Sequence, residues 1–212
     1  MRPTSSAASD CVRVPVERVV SRGVLLAAGA GFGLAALAAA PLGRLVRVDE
    51  AIAAPSKAQD LRILQLVLQL EYTQVALYEQ ALRDGGLTAE LHDFAQTALE
   101  HERAHLAVIK KALGAQAGPK PTFRFGAKTK SADAFVRATI DLEDLAVAGY
   151  NGQATNLTRP TLAAAAEIVS VEARHAAWIR ALAGEVAAPD PVDKPMTAQR
   201  VAQGLREIGM RA

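Results

Sequence analysis

Leu70-Glu-Tyr-Thr-Gln-Val-Ala-Leu-Tyr78 is answered further along the chain by Leu142-Glu-Asp-Leu-Ala-Val-Ala-Gly-Tyr150. In both stretches Val stands four, Ala five and Tyr seven residues after the Glu. A second pair of stretches behaves the same way. Glu102-Arg-Ala-His105 and Glu172-Ala-Arg-His175 each place His three, Ile seven and Gly twelve residues after the Glu. The chain therefore contains an internal repeat offset by about seventy residues, with a two-fold relation expected between its halves.

Outward from these motifs the apolar residues recur at alternating spacings of four and three, which is one stripe of an amphipathic helix. The first stripe runs Leu64, Leu68, Glu71, Val75, Tyr78 and Leu82, and Gly85-Gly86 ends it. Thr88 is placed to cap the next helix, whose stripe is Leu91, Ala95, Ala98, Glu102, His105, Ile109 and Ala112, closed by Gly114. A connection over about 115–130 carries Pro119, Pro121 and Gly126. Ser131 then caps a third helix with Val136, Ile140, Glu143, Val147, Tyr150 and Ala154. Pro160 suits the first turn of a fourth, with Ala165, Ile168, Glu172, His175, Ile179 and Leu182, ended by Gly184. Two short turns and one long crossover predict an all-α, up-down four-helix bundle of two antiparallel hairpins. The expected organisation is an export signal and linker over 1–52, the bundle over 53–184, and a Pro-rich linker with a short C-terminal helix over 185–212.

Each stripe is interrupted by an acidic residue, at Glu71, Glu102, Glu143 and Glu172. A carboxylate buried without a partner costs several kcal/mol, and metal ions remove that cost because four carboxylates balance two divalent cations. The midpoint of 71 and 102 falls in the first turn and that of 143 and 172 in the second, so each hairpin sets its two Glu at one height. The i, i+3 spacing brings His105 beside Glu102 and His175 beside Glu172 on one helix face. Two single Glu and two Glu-x-x-His pairs are the donor set of a carboxylate-bridged dimetal site. Oxygen and imidazole donors suit two Fe ions or, alternatively, two Mn ions. A lone Glu-x-x-His is weak evidence and the bland alternative is a bundle of buried ion pairs, but two of them among only four His are a specific signal. His92 and His101 read as surface residues, Glu79, Glu100, Asp144 and Glu167 as solvated, and Trp178 as packing or an interface anchor.

These motifs resemble the ferritin-like superfamily of di-iron and di-manganese carboxylate proteins, and most closely its exported bacterial ferritin-like domain proteins. The resemblance covers about 58–184, and Pro121-Thr-Phe-Arg-Phe125 in the crossover is also similar to that family. It implies terminal ligands at Glu71 and Glu143, bridging ligands at Glu102 and Glu172, and His105 and His175 one to each metal. It also implies that Tyr78 and Tyr150 hydrogen-bond a ligand carboxylate, orienting it and able to supply an electron. The alternative for the tyrosines is core packing with a hydroxyl at the rim.

Composition agrees with this class. The chain has 212 residues, 50% hydrophobic, 22% charged and 4% aromatic, with one cysteine. That content excludes disorder and a disulfide scaffold. Residues 1–40 hold four Arg against Asp10 and Glu17, which leaves 20 basic and 20 acidic residues in 41–212, so no electrostatic footprint for nucleic acid exists. Residues 23–43 are uncharged, with Arg18 and Arg22 before them and Arg44 and Arg47 after, and small residues dominate their end. This reads as an export signal, similar to a twin-arginine signal with one arginine missing, and Ala36-Leu37-Ala38 offers a cleavage site. Left uncleaved, the run would be an N-terminal membrane anchor. The expected location is the periplasm or cell envelope.

The expected function is an exported di-iron oxidoreductase acting on dioxygen or hydrogen peroxide, or oxidising ferrous iron, in stress protection. The alternatives are a dimanganese catalase-like enzyme, and a non-catalytic envelope or desiccation stress protein with a structural metal pair. A homo-oligomer stays open; a storage cage would need a large one, and the Pro-rich tail is not a helix suited to lining a cage axis.

Overall fold

The structure is a computed structural model that describes residues 54–211. The expected export signal, its cleavage site and the anchor alternative lie outside the described residues. Four long helices, α1 (Lys57–Asp84), α2 (Ala89–Leu113), α3 (Ala132–Gln153) and α4 (Arg159–Leu182), are followed by a shorter α5 (Ala198–Ile208). The fold is the all-α bundle of two hairpins. No helix among the described residues is long and apolar enough to cross a membrane.

The helices start where the sequence supplies an oxygen to a free N–H. Ser56, Thr88, Ser131 and Thr197 accept from the backbone N–H groups of Gln59, Leu91, Ala134 and Arg200, at 3.2–3.4 Å. Gly85 ends α1 at φ 73°, in the left-handed region. Thr158 makes no such cap for α4. Asp60 of α1 does so instead, accepting from Thr158 N–H (2.9 Å) and from the hydroxyls of Thr158 (2.5 Å) and Thr161 (2.7 Å). This contact puts the starts of α1 and α4 at one end of the bundle. At the other end Asp84, closing α1, accepts from Thr129 (2.6 Å) and Lys130 (2.9 Å), just ahead of α3. The crossover between α2 and α3 therefore runs the length of the bundle, and α1 and α3 are antiparallel.

Two apolar clusters build the core. The larger joins α1, α2 and α4, with Leu68, Phe94, Ile109 and Ile179 among its buried members. The smaller lies on the opposite side of α1 and α3, where Leu70, Leu77 and Leu142 meet Val201, Leu205 and Ile208 of α5. The C-terminal segment is thus built into the same compact unit rather than trailing from it. Its approach is close. A Cβ on Gly204 would meet Leu145 at 2.8 Å, and one on Gly152 would stand 1.8 Å from the Met196 carbonyl oxygen. Two short strands, β1 (Thr122–Phe123) and β2 (Met210–Arg211), pair antiparallel and tie the crossover to the chain's end.

Candidate metal centre

All four interrupting carboxylates face inward. Glu71, Glu102, Glu143 and Glu172 are fully buried, His175 is buried, and His105 lies at the edge of burial. The structure brings these six side chains together in two overlapping groups, each with donor atoms within 4.8 Å of one another. One group is Glu71, Glu102, His105 and Glu172; the other is Glu102, Glu143, Glu172 and His175. Glu102 and Glu172 belong to both, and the remaining four to one each. The bridging and terminal roles implied by the resemblance concern bound metals, and the grouping states only which side chains lie close together.

Both imidazoles turn Nδ1 to the carboxylates. His105 Nδ1 lies 2.9 Å from Glu102, 3.0 Å from Glu172 and 3.4 Å from Glu71. His175 Nδ1 lies 3.0 Å from Glu102 and 3.6 Å from Glu143. Yet Glu71 Oε2, Glu102 Oε1, Glu172 Oε1 and His175 Nδ1 are buried and make no hydrogen bond. Buried polar atoms in proteins are almost always paired. Buried oxygen and imidazole nitrogen atoms left unpaired beside one another are the donor chemistry of a metal site, so the residues present could hold metal ions.

Electrostatics carry the same message. Burial pushes the carboxyls of Glu71 and Glu172 up to about 8, and raises Glu102 as well, with neighbouring carboxylates adding to the effect. Burial disfavours the imidazolium form of His105 and His175. The surrounding carboxylates outweigh it, holding His105 at about 12 and His175 at about 10. Positive charge is wanted at this point, and protons supply it where a metal does not.

Around the cluster sits a ring of hydrogen-bond donors. Tyr150 donates to Glu71 Oε1 at 2.6 Å and Tyr78 donates to Glu143 Oε1. Each tyrosine therefore serves the Glu of the opposite helix rather than of its own. Burial, reinforced by these carboxylates, pushes both phenols well above their ordinary range, so they stay protonated as donors. Gln74 donates to Glu172 Oε2 at 2.6 Å and to Glu143 at 3.3 Å. Sequence reasoning missed Gln74, although its place three residues after Glu71 puts it on the same helix face.

Sequence reasoning also read His101 as a plain surface residue. It is exposed, but its Nδ1 lies 2.9 Å from His175 Nε2 and the rings stack at 9°. Glu79 and Asp144, expected to be solvated, are paired: Glu79 with Arg103 (2.9 Å) and Lys120 (3.7 Å), and Asp144 with Arg180. Trp178 is 37% exposed and packs edge-on against Phe94.

A family model described as a ferritin-like domain matches residues 59–185, more than half of the chain and the whole of this cluster. No curated protein matches.

Proposed function

Because the chain belongs to the ferritin-like domain family, and because its buried Glu/His cluster could hold metal ions, we propose that it is an exported dinuclear iron protein acting on small oxidants. The observation that carries this reading is the pair of four-residue groups sharing Glu102 and Glu172. Glu71 and His105 would complete the donors of one ion, and Glu143 and His175 those of the other. Four carboxylates match the charge of two divalent cations. A ferrous pair held there would supply two electrons, the number needed, with two protons, to take dioxygen to hydrogen peroxide or hydrogen peroxide to water.

The protein's own side chains prepare that centre. Tyr150 and Tyr78 hold Glu71 and Glu143 in place, and Gln74 holds Glu172, so these carboxylates keep one orientation. The fully buried Phe94, Phe135 and Ile179 lie in the surrounding core and keep bulk water away. Export rests on the uncharged run 23–43 and its flanking arginines. An oxidant-consuming centre in the periplasm or envelope would serve in stress protection.

Metal analysis of natively exported protein, with dioxygen and peroxide consumption measured on the same sample, tests the reading. We expect close to two iron ions per chain and consumption of one of the two oxidants. Glu102→Ala and His105→Ala should each lose that stoichiometry. Two ions still bound in both variants would show the donor assignment to be wrong. Two manganese ions with peroxide turnover would replace iron by the catalase-like alternative. No turnover with either metal would leave the pair a structural role.

A further inference from the structure

The two halves of the bundle are not filled alike. Around Tyr78, Phe94 and Phe135 pack edge-to-face with centroids at 5.9 and 6.1 Å, and Trp178 closes on Phe94 at 5.0 Å. That end is plugged. Around Tyr150, at the opposite end, lies a cavity of about 230 Å³. The repeat explains the difference. Glu71 and Tyr78 recur 72 residues on, as Glu143 and Tyr150, while Glu102 and His105 recur 70 residues on, as Glu172 and His175. By those offsets Phe94 corresponds to Ala164, Trp178 to Val108, Phe135 to Ile63 and Leu182 to Ala112. All four smaller residues line the cavity. In these four pairs the larger side chain stands at the plugged end, whereas Ile168 and Leu64 of the hollow end exceed their counterparts Ala98 and Val136.

The cavity lies beside the candidate metal centre, separated from it by about one helical turn. Val67, Ile109 and Ile168 form its inner wall, and each lies four residues, about one helical turn, from Glu71, His105 and Glu172 respectively. Tyr150 lines it too, with its hydroxyl on Glu71. The mouth is formed by exposed Val108, Ala112, Pro160 and Ala164, between α2 and α4. Few polar groups line it, and most of them have partners within the protein, Gln153 Nε2 being the donor left over. The Tyr150 hydroxyl is given to Glu71, that of Thr161 to Asp60, and Gln153 Oε1 accepts from Asn156. An enclosed apolar cavity of about 150 Å³ suffices to bind benzene. This one is larger, aliphatic and open at one side, and too small for a peptide.

We infer that this cavity is the binding pocket of a small, uncharged apolar organic molecule, of the size of a monocyclic arene, held against Tyr150 beside the metal centre. Occupancy depends only on the cavity; that the ligand meets a metal centre rests on the function proposed above.

Fluorobenzene is the probe, followed by fluorine NMR on the full chain, with metal content measured in parallel. The wild type should bind it saturably at one site. Ala164→Phe, which transplants the plug of the other end, should lose binding and keep the wild-type metal content. Should that variant fail to fold, Ala112→Leu introduces the side chain its repeat counterpart Leu182 already carries, and weaker binding is again expected. Absence of saturable binding to the wild type, or unchanged binding in the filled variant, overturns the pocket. Two ions per chain with no fluorobenzene bound overturns the pocket alone, whereas fluorobenzene bound by a chain holding no metal overturns only the metal function.

Discussion

Tyr150 reaches Glu71 and Tyr78 reaches Glu143, so each hydroxyl ties one hairpin to the other at the edge of the cluster. Hydrogen bonds to metal-binding carboxylates set their orientation, and removing one typically weakens metal affinity about 10–100-fold. Tyr150→Phe is therefore expected to weaken binding of one ion by that factor while the other is retained, which a metal titration will resolve into two unequal sites. His101 breaks the repeat at the same scale, because its counterpart one repeat on is Val171. Protonation gives a second residue-scale expectation. Glu71 and Glu172 titrate near 8 in the folded chain against an ordinary 4.5, so the metal-free folded state holds protons that the unfolded chain has released. Its stability must then fall as pH rises from about 4.5 to about 8. His105 and His175, raised above 6.5, add a contribution that is full below 6.5 and lost on the way up through about 10 and 12. Melting temperatures of chelator-treated protein should be lower at pH 8 than at pH 5, and a rise would refute the proton-for-metal picture.

At the scale of an element, α4 depends on a residue outside itself. Asp60 supplies the cap that Thr158 does not, and three donors converge on its carboxylate. Burial opposes the charged form of Asp60, but these hydrogen bonds prevail and hold its carboxyl below the ordinary 3.8. A depressed carboxyl contributes stability that is present above the unfolded value and lost as pH falls through the folded one. Asp60→Ala leaves these partly buried donors unpaired and should destabilise the protein by about 1–3 kcal/mol at neutral pH. Urea unfolding will measure it, and the difference from wild type should shrink below pH 4. Such a cap is invisible to a local reading, because the distance from Asp60 to Thr158 along the chain is nearly the whole bundle.

For the whole molecule, the fifth helix decides how α1 and α3 are covered. Val201, Leu205 and Ile208 lie buried against a face of α1 and α3 that a plain four-helix bundle would leave to solvent. Leu205→Ala should cost about 2–5 kcal/mol, as truncation of a fully buried leucine does. The loss should appear in global unfolding monitored by far-UV circular dichroism, with the metal content of the remaining folded protein unchanged. An effect below 0.5 kcal/mol would mean that α5 contributes little to the fold. The crossover joins the same arrangement, since β1 pairs with β2 beyond α5 and Asp84 ties its far end to α1.

The amino-acid sequence by itself determined the helices, their ends and the inward stripe bearing Glu71, Glu102, His105, Glu143, Glu172 and His175, because helix periodicity and capping are properties of neighbouring residues. The repeat added which hairpin matches which. Only the tertiary structure decided that the tyrosines exchange partners, that Glu102 and Glu172 stand in both donor groups, that Gln74 and His101 join the cluster, and that one end of the bundle is plugged and the other hollow. Those features depend on the register and rotation of helices against one another, which are fixed by packing between segments far apart in the chain and leave no period to read along it.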